Sequence, residues 1–449
     1  MKANVHRSLT RLHAFSLLVL FYLVLVASQS TAQTASDWVL RYEAAGEYDS
    51  PMDIAFLDDD HAIVTINHGV LVTSDGGATW RRELLTADTV YNIPMTSVAV
   101  QNSSTAWICG WFGALYRTTD KGASFEDWSL DTMIHSECVY FLDENTGWIA
   151  GDSVDYERGF DAGKGILHQT TDGGATWQVQ AAFPFDPDSG LYWVTWNDID
   201  FADPLHGWMA GQKGGMARTT DGGVTWEEFD ESKGAEMFCV AALEEDHVMM
   251  GGESQMFLES RDGGASWTKL TPPHGLILLY DIDMFDVLNG YMGGSGNGTC
   301  LARTKDGGVT WEPDTLVPAE YRTVRAVTRA PNGTLWAVTE EGEIFERAGR
   351  TTTAVDDSAV PRAAYCAVFP SPLRMGRMLT LDVSLPAAGA VRADLYDITG
   401  RRVHVLFDDF LQAGGHTLNT PHIDLSPGMY IIRFRTKDGV QIVKLPVML

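Results

Sequence analysis

The sequence predicts an all-β chain: a seven-bladed β-propeller followed by a small C-terminal β-sandwich. Three observations carry that prediction. An eight-residue Asp-Gly-Gly motif is present in six copies, spaced 45, 52, 49, 41 and 44 residues apart from Asp to Asp. A short alternating strand lies upstream of each copy and once more after the last. The motif stops after residue 311, and beyond residue 363 a run of strands with Gly/Pro turns begins. Periods in the forties belong to blades of four strands.

The motif reads TSDGGATW (73–80), TTDKGASF (118–125), TTDGGATW (170–177), TTDGGVTW (219–226), SRDGGASW (260–267) and TKDGGVTW (304–311). Its residues are those of a tight hairpin between the third and fourth strands of a blade. The carboxylates of Asp75, Asp120, Asp172, Asp221, Asp262 and Asp306 accept hydrogen bonds from amides a few residues on. The glycines supply positive φ without steric cost. Trp80, Phe125, Trp177, Trp226, Trp267 and Trp311 supply apolar area for packing between blades. Six copies around a ring, each with its aromatic, point to structure rather than to a metal or catalytic centre. The upstream strands are DIAF (53–56), SVAV (97–100), CVYF (138–141), DIDF (198–201), CVAA (239–242), DIDM (281–284) and AVTR (326–329). Each leads through a polar turn to a second apolar strand, such as AWICG, GWIAG or GWMAG. The seventh copy, TEEGEIFERAGR (339–350), lacks the motif and a fourth strand. An open ring leaves two sheet edges bare, so WVLRYEA (38–44) is expected to supply the missing outer strand.

These residues resemble a known family. T-x-D-G-G-x-T-W repeats are Asp boxes, found in sialidases, xyloglucan-active glycosidases and sortilin-type receptors. GWMAGQKGGMARTTDGGVTW and AWICGWFGALYRTTDKGASF are most similar to the photosystem II stability and assembly factor family of seven-bladed propellers, over about residues 45–350. The resemblance implies the fold, and only loosely a function. It also implies arginines in a basic partner-binding patch. Arg117, Arg218 and Arg303, three residues before their box aspartates, are placed for that or for local ion pairs.

The chain carries 60 acidic against 32 basic side chains, a formal charge of −28. That charge excludes nucleic-acid binding, which needs a cationic footprint. An apolar fraction of 45% excludes wholesale disorder. Five cysteines are an odd number and no disulfide scaffold.

Lys2, Arg7 and Arg11 precede an uncharged run from Ala14 to Ala27, followed by Ser30-Thr31-Ala32. The run is about 14 residues, short of the roughly 20 of a spanning helix. Residues 1–32 therefore read as a cleaved signal peptide, with no stable transmembrane anchor. Residues 33–350 are assigned to the propeller, 351–363 to a polar linker and 364–449 to the sandwich. The last segment holds nine Arg/Lys against seven Asp, unlike the acidic ring. Its features FPSPL (369–373), LYDITGRRV (395–403), AGGH (413–416), LSPGMYIIR (425–433) and KLPVML (444–449) resemble the type A C-terminal sorting domain of the type IX secretion system. Ser371 stands where that family usually has Asn. The resemblance implies delivery to the exterior or the outer cell surface and contact with the secretion machinery.

Ligands of propellers usually meet the face that carries the loops between second and third strands and between blades. Two such loops are long here: 152–165, with Tyr156 and Arg158, and 181–197, with Tyr192, Trp193 and Trp196. Their aromatics form a platform for a protein or glycan, or pack the insertion onto the ring. Glu137, Asn197, Tyr280 and Arg325 directly precede inner strands and are expected around the channel mouth. Asp53, Asp198 and Asp281 begin three inner strands; they read as solvated channel residues or as oxygen ligands for Ca²⁺. Cys138 and Cys239 occupy one register in non-adjacent blades and should be free buried thiols. Asp186-Pro187-Asp188 reads as a turn before it reads as a calcium loop.

No nucleophile motif, zinc-ligand spacing or phosphate loop is present, so no catalytic residue, metal or cofactor is assigned. The F/Y-R-I-P marker of sialidases is absent before the first box. The reading is a secreted or cell-surface non-catalytic binding or assembly propeller exported by the type IX system. The alternative is a secreted sialidase- or xyloglucanase-like glycosidase with a carboxylate pair that sequence cannot place. A cationic partner surface would suit the charge by steering, and its binding should weaken with ionic strength.

Overall fold

The structure is a computed structural model. It describes residues 37–44, 50–86, 93–130, 134–153, 164–183, 195–347 except 287, 297–299, 315 and 317–321, and most of 365–448. Among these residues there are seven four-stranded antiparallel sheets, as a seven-bladed propeller requires. Blade 1 runs Ile54–Phe56, Ala62–Ile66, Gly69–Thr73 and Arg81–Leu84. Inner strands of the other blades are Met95–Val100, Ile134–Phe141, Trp196–Phe201, Met237–Glu244, Leu276–Met284 and Val324–Arg329. Each touches the inner strand of the next, and Val324–Arg329 touches Ile54–Phe56, so the ring is continuous.

Blade 7 takes its outer strand from the other end of the chain. Trp38–Glu43 pairs antiparallel with Glu343–Arg347, from Trp38 opposite Arg347 to Glu43 opposite Glu343. Trp38 is buried against Tyr291, Leu301, Leu316 and Phe345, and the Arg347 guanidinium lies over its ring at 6.0 Å. Arg347 also pairs with Asp314 of blade 6. The closing strand thus buries one large side chain and removes an open edge.

The six boxes are built alike. In blade 1, Asp75 Oδ1 accepts the Thr79 amide at 2.8 Å and the Thr73 hydroxyl at 2.9 Å, while Oδ2 accepts the Thr79 hydroxyl at 2.6 Å. The Thr73 hydroxyl accepts the Gly77 amide at 2.9 Å. Thr79 holds the Asp75 carboxyl below the usual range, and Ser124 does the same for Asp120. Gly76 and Gly77 have φ of 67° and 82°. The second glycine has a further reason to be glycine, because the turn rests on the preceding blade, on a tryptophan in four boxes and on Val72 or Met249 in the other two. A Cβ at Gly77 would collide with Trp336, at Gly174 with Trp107, and at Gly223 it would lie 3.0 Å from Trp148. The second strands and the boxes are therefore two halves of one inter-blade joint. Trp107, Trp148, Trp208 and Trp336 are its fully buried members. The box aromatics themselves, Trp80, Phe125, Trp177, Trp226, Trp267 and Trp311, are half-buried and rest on the same joint. Trp177, for example, meets Trp107 edge-on at 5.7 Å.

The C-terminal strands form two further sheets: Tyr365–Phe369, Thr380–Leu385 and Gly414–Asn419 in one, and Leu373–Arg374, Gly389–Asp397, Arg402–Leu411, Gly428–Thr436 and Gly439–Met448 in the other. Leu381, Val383, Leu395, Ile432, Phe434 and Leu445 fill the core between them, giving a β-sandwich. Among the described residues no helix is long and apolar enough to cross a membrane.

Candidate binding face at the channel mouth

The inner strand of each blade from 2 to 7 carries a β-bulge at one and the same register. The ladder skips between Met95 and Ser97, Ser136 and Cys138, Trp196 and Asp198, Met237 and Cys239, Leu279 and Asp281, and Val324 and Ala326. The skipped residues are Thr96, Glu137, Asn197, Phe238, Tyr280 and Arg325. A bulge frees one residue from the pleat and re-aims its side chain. Glu137, Asn197, Tyr280 and Arg325 were expected at the mouth; Thr96 and Phe238 were not. Phe238 sits in the apolar run Met237–Leu243, and nothing in its type separates it from a core residue.

Two groups of side chains result. On one side, the Trp111 indole N–H donates to Glu137 Oε1 at 2.8 Å, and its ring stacks on His135 at 4.9 Å and 10°. On the other, Phe238 stacks on Tyr280 at 5.0 Å, and the Arg325 guanidinium lies 4.3 Å over the Tyr280 ring while pairing with Glu340 at 3.2 Å. Asn197 Nδ2 donates to the Met237 carbonyl at 2.8 Å and ties blade 4 to blade 5. Burial pushes the Glu137 carboxyl up to about 8 and Asp152 up to about 6; Arg325 acts on Glu137 in the opposite sense. Arg325 Nε and His135 Nε2 are buried and have no hydrogen-bond partner among the described residues.

Below the mouth the aspartates are partly exposed, and each accepts a backbone amide of the next blade. Asp53 Oδ2 accepts the Val98 amide, Asp198 Oδ2 the Val240 amide (each 2.8 Å) and Asp281 Oδ2 the Val327 amide at 2.6 Å. Each carboxylate staples its blade to the next. Burial raises all three, Asp198 to about 7 and Asp281 well above the carboxylate range; burial also pushes Asp283 to about 7. Cys138 and Cys239 hold the same register and are free, buried thiols.

A carboxyl raised on folding favours the native state below its unfolded pKa and loses that contribution as pH rises through its folded value. Glu137, Asp198 and Asp283 place this loss between about pH 4 and 8. The melting temperature should therefore fall from pH 5.5 to pH 8.5, and by less in Glu137→Gln; thermal denaturation at both pH values reads it. An equal fall in the variant would show that Glu137 is not one of the groups responsible.

Trp196 requires a correction. It is not part of an exposed platform: it begins the inner strand of blade 4, is fully buried, and packs with Trp148, Ile199 and Phe201. Its neighbours in the long loop made it look like a loop residue. Tyr156, Arg158, Tyr192 and Trp193 lie outside the described residues, as do Asp186 and Asp188. Arg218 pairs with Glu227 at 2.8 Å and Arg303 with Glu312 at 3.1 Å, while Arg117 lies over Trp107. These three serve local joints on the outer part of the blades.

The family model described as photosynthesis system II assembly factor YCF48 matches residues 32–180 and 191–345. The chain belongs to that family. A photosystem II assembly lipoprotein Ycf48 of Synechococcus sp. (strain CC9902) is 26% identical over 285 residues, covering 59% of this chain and 75% of the relative. The protein of the same name from Prochlorococcus marinus is 34% identical over 92 residues, 19% of this chain and 26% of its own. A solved YCF48 bound to D1 peptide superposes with a TM-score of 0.54 at 18% identity, over 70% of this chain and 98% of that one. These likenesses agree with the propeller fold.

Proposed function

We propose that this YCF48-family propeller is a non-catalytic binding module that holds a peptide segment of a partner protein at the channel mouth. One observation carries the reading. At the register after the bulge the seven blades carry Asp53, Ser97, Cys138, Asp198, Cys239, Asp281 and Ala326, and one step further only Ile or Val: Ile54, Val98, Val139, Ile199, Val240, Ile282 and Val327. At the bulge itself, blades 2 to 7 carry Thr, Glu, Asn, Phe, Tyr and Arg. Packing residues that repeat beside a register whose partly exposed members in blades 3 to 7 are five different side chains support recognition at that register. Aromatics and an arginine around buried unpaired donors suit a peptide, whose backbone and side chains offer both acceptors and apolar area. A solved relative bears a bound peptide, which supports the same class of partner here.

The module acts at the cell exterior or outer surface, reached through residues 1–32 and the C-terminal sandwich as a type IX sorting domain. The sandwich fold and the motifs at 395–403 and 425–433 support that route. A glycosidase remains the second reading on a single observation: Glu137 and Asp152 are interacting carboxyls whose values, about 8 and about 6, differ.

Capture of partners from the parent organism's surface extract by the intact protein and by Tyr280→Ala/Arg325→Ala tests both. A protein retained by the first and lost from the second is the expected result, with retention weakening as salt rises. Shortened glycan that requires Glu137 would replace the binding reading with the enzymatic one.

A further inference from the structure

At the opposite end of the blades, where the boxes lie, blades 1 and 4 have the same turn between first and second strands. Leu57 and Ala202 accept their turns in one way: the Leu57 amide donates to the His61 carbonyl, the Ala202 amide to the His206 carbonyl, each at 2.9 Å. Within the turn, His61 Nδ1 lies 2.8 Å from Asp58 Oδ1, and His206 Nδ1 lies 2.8 Å from Asp203 Oδ2. The two junctions then diverge. In blade 1 the Asp–His pair holds a cation, the Lys121 ammonium of the next blade, 2.6 Å from Asp58 Oδ2. Lys121 stands at the first glycine position of the blade 2 box, and its amide bonds to the Ser104 carbonyl. In blade 5 that box position is Gly263, whose amide bonds to the Asp246 carbonyl in the corresponding turn. Gly263 has no side chain to offer. Glu245, one residue before Asp246, comes to the pair instead, and one ligand atom from each of Asp203, His206 and Glu245 lies within 4.8 Å of the others.

We infer that Asp203, His206 and Glu245 form a binding site for a divalent transition-metal ion at the junction of blades 4 and 5. The equivalent pair already attracts a positive charge; here the protein's own cation is missing and a third donor takes its side. One imidazole and two carboxylates suit Zn²⁺ or Co²⁺ better than Ca²⁺, which prefers oxygen alone. Ligand atoms around such an ion stand about 3.4 Å apart, so the exposed Glu245 side chain would close on the ion while the 2.8 Å hydrogen bond between His206 Nδ1 and Asp203 Oδ2 is exchanged for bonds to it, rotamer changes that surface turns allow. Asp203 and His206 are about a quarter exposed, with side-chain values of 28% and 27%, so the ion would be partly withdrawn from water. Hydrogen bonds from the Leu205 amide and from His206 keep the Asp203 carboxyl below its ordinary value, against the opposing effect of its burial. The charged neighbours are Glu244, Asp246 and Arg261, the last paired with Glu259 at 2.5 Å. The site cannot be found from linear spacing, because Glu245 is supplied by the next blade.

Titration of the full chain with Zn²⁺ by calorimetry, and with Co²⁺ by visible absorption, tests the inference beside His206→Gln and Glu245→Gln. Glu245→Gln is isosteric and exposed, and its melting temperature without metal should equal that of the parent. The expected result is one ion per chain, Co²⁺ bands indicating nitrogen and oxygen donors, and about tenfold or greater weakening in each variant. Binding unchanged in both variants, or no binding by the parent, would overturn it.

Discussion

Trp107→Ala should lower the stability of the ring by about 3–5 kcal/mol, the cost of a fully buried aromatic removed from a packed core. Trp107 stacks on Phe141 at 6.1 Å, meets Trp128 and Trp177 edge-on at 5.7 Å each, and donates its indole N–H to Gln101 Oε1 at 3.1 Å. Gln101 in turn donates to the carbonyls of Glu144 and Gly173 in blade 3. The substitution therefore opens a cavity and loosens the joint between blades 2 and 3 together. Gly174→Ala attacks the same joint from the other side, by forcing a Cβ into Trp107 at φ 86°. Because the two share one contact, their effects should sum to less than additivity predicts. Urea unfolding of both single variants and the double reads this; simple additivity would mean that the box turn and the tryptophan are independent.

Removal of the closing strand should have the second large effect. A chain that begins at residue 45 keeps every box but leaves Glu343–Arg347 as a bare edge and exposes the surface that Trp38 covers. The expected loss is about 5 kcal/mol or more, from the buried tryptophan and the ladder of the strand. Association through the free edge should accompany it. Size-exclusion chromatography and urea unfolding, compared with a chain beginning at residue 33, would show both. A monomer of undiminished stability would mean that the ring closes by other contacts.

The parts of the fold visible in the sequence are those in which chemistry repeats. Asp75-Gly76-Gly77 and its counterparts announce a hairpin because each atom of the turn needs its residue type. The closing strand followed from arithmetic, seven inner strands against six outer ones. The mouth was half visible: Glu137, Tyr280 and Arg325 stand out as polar or amphipathic residues ahead of apolar strands, whereas Phe238 is hidden by its apolar neighbours. Trp196 misled for the complementary reason. An aromatic next to a long loop has the composition of a contact residue, and only the register of the strand that it starts puts it in the core. The aspartates of the inner strands were only partly legible, because a carboxylate on a channel wall suggests water or a metal. The backbone amide of the next blade, which each one actually binds, leaves no trace in the sequence.

The central claim is that the bulged register of the inner strands is the surface that recognises a partner. A photoreactive amino acid placed at Phe238 on the mouth, and in a separate chain at the exposed Val224 of the blade 4 box, tests it most directly. Irradiation in the presence of the parent organism's surface extract should give a discrete protein adduct from position 238 and none from position 224. An adduct from position 224 alone would place recognition on the opposite face and contradict the account.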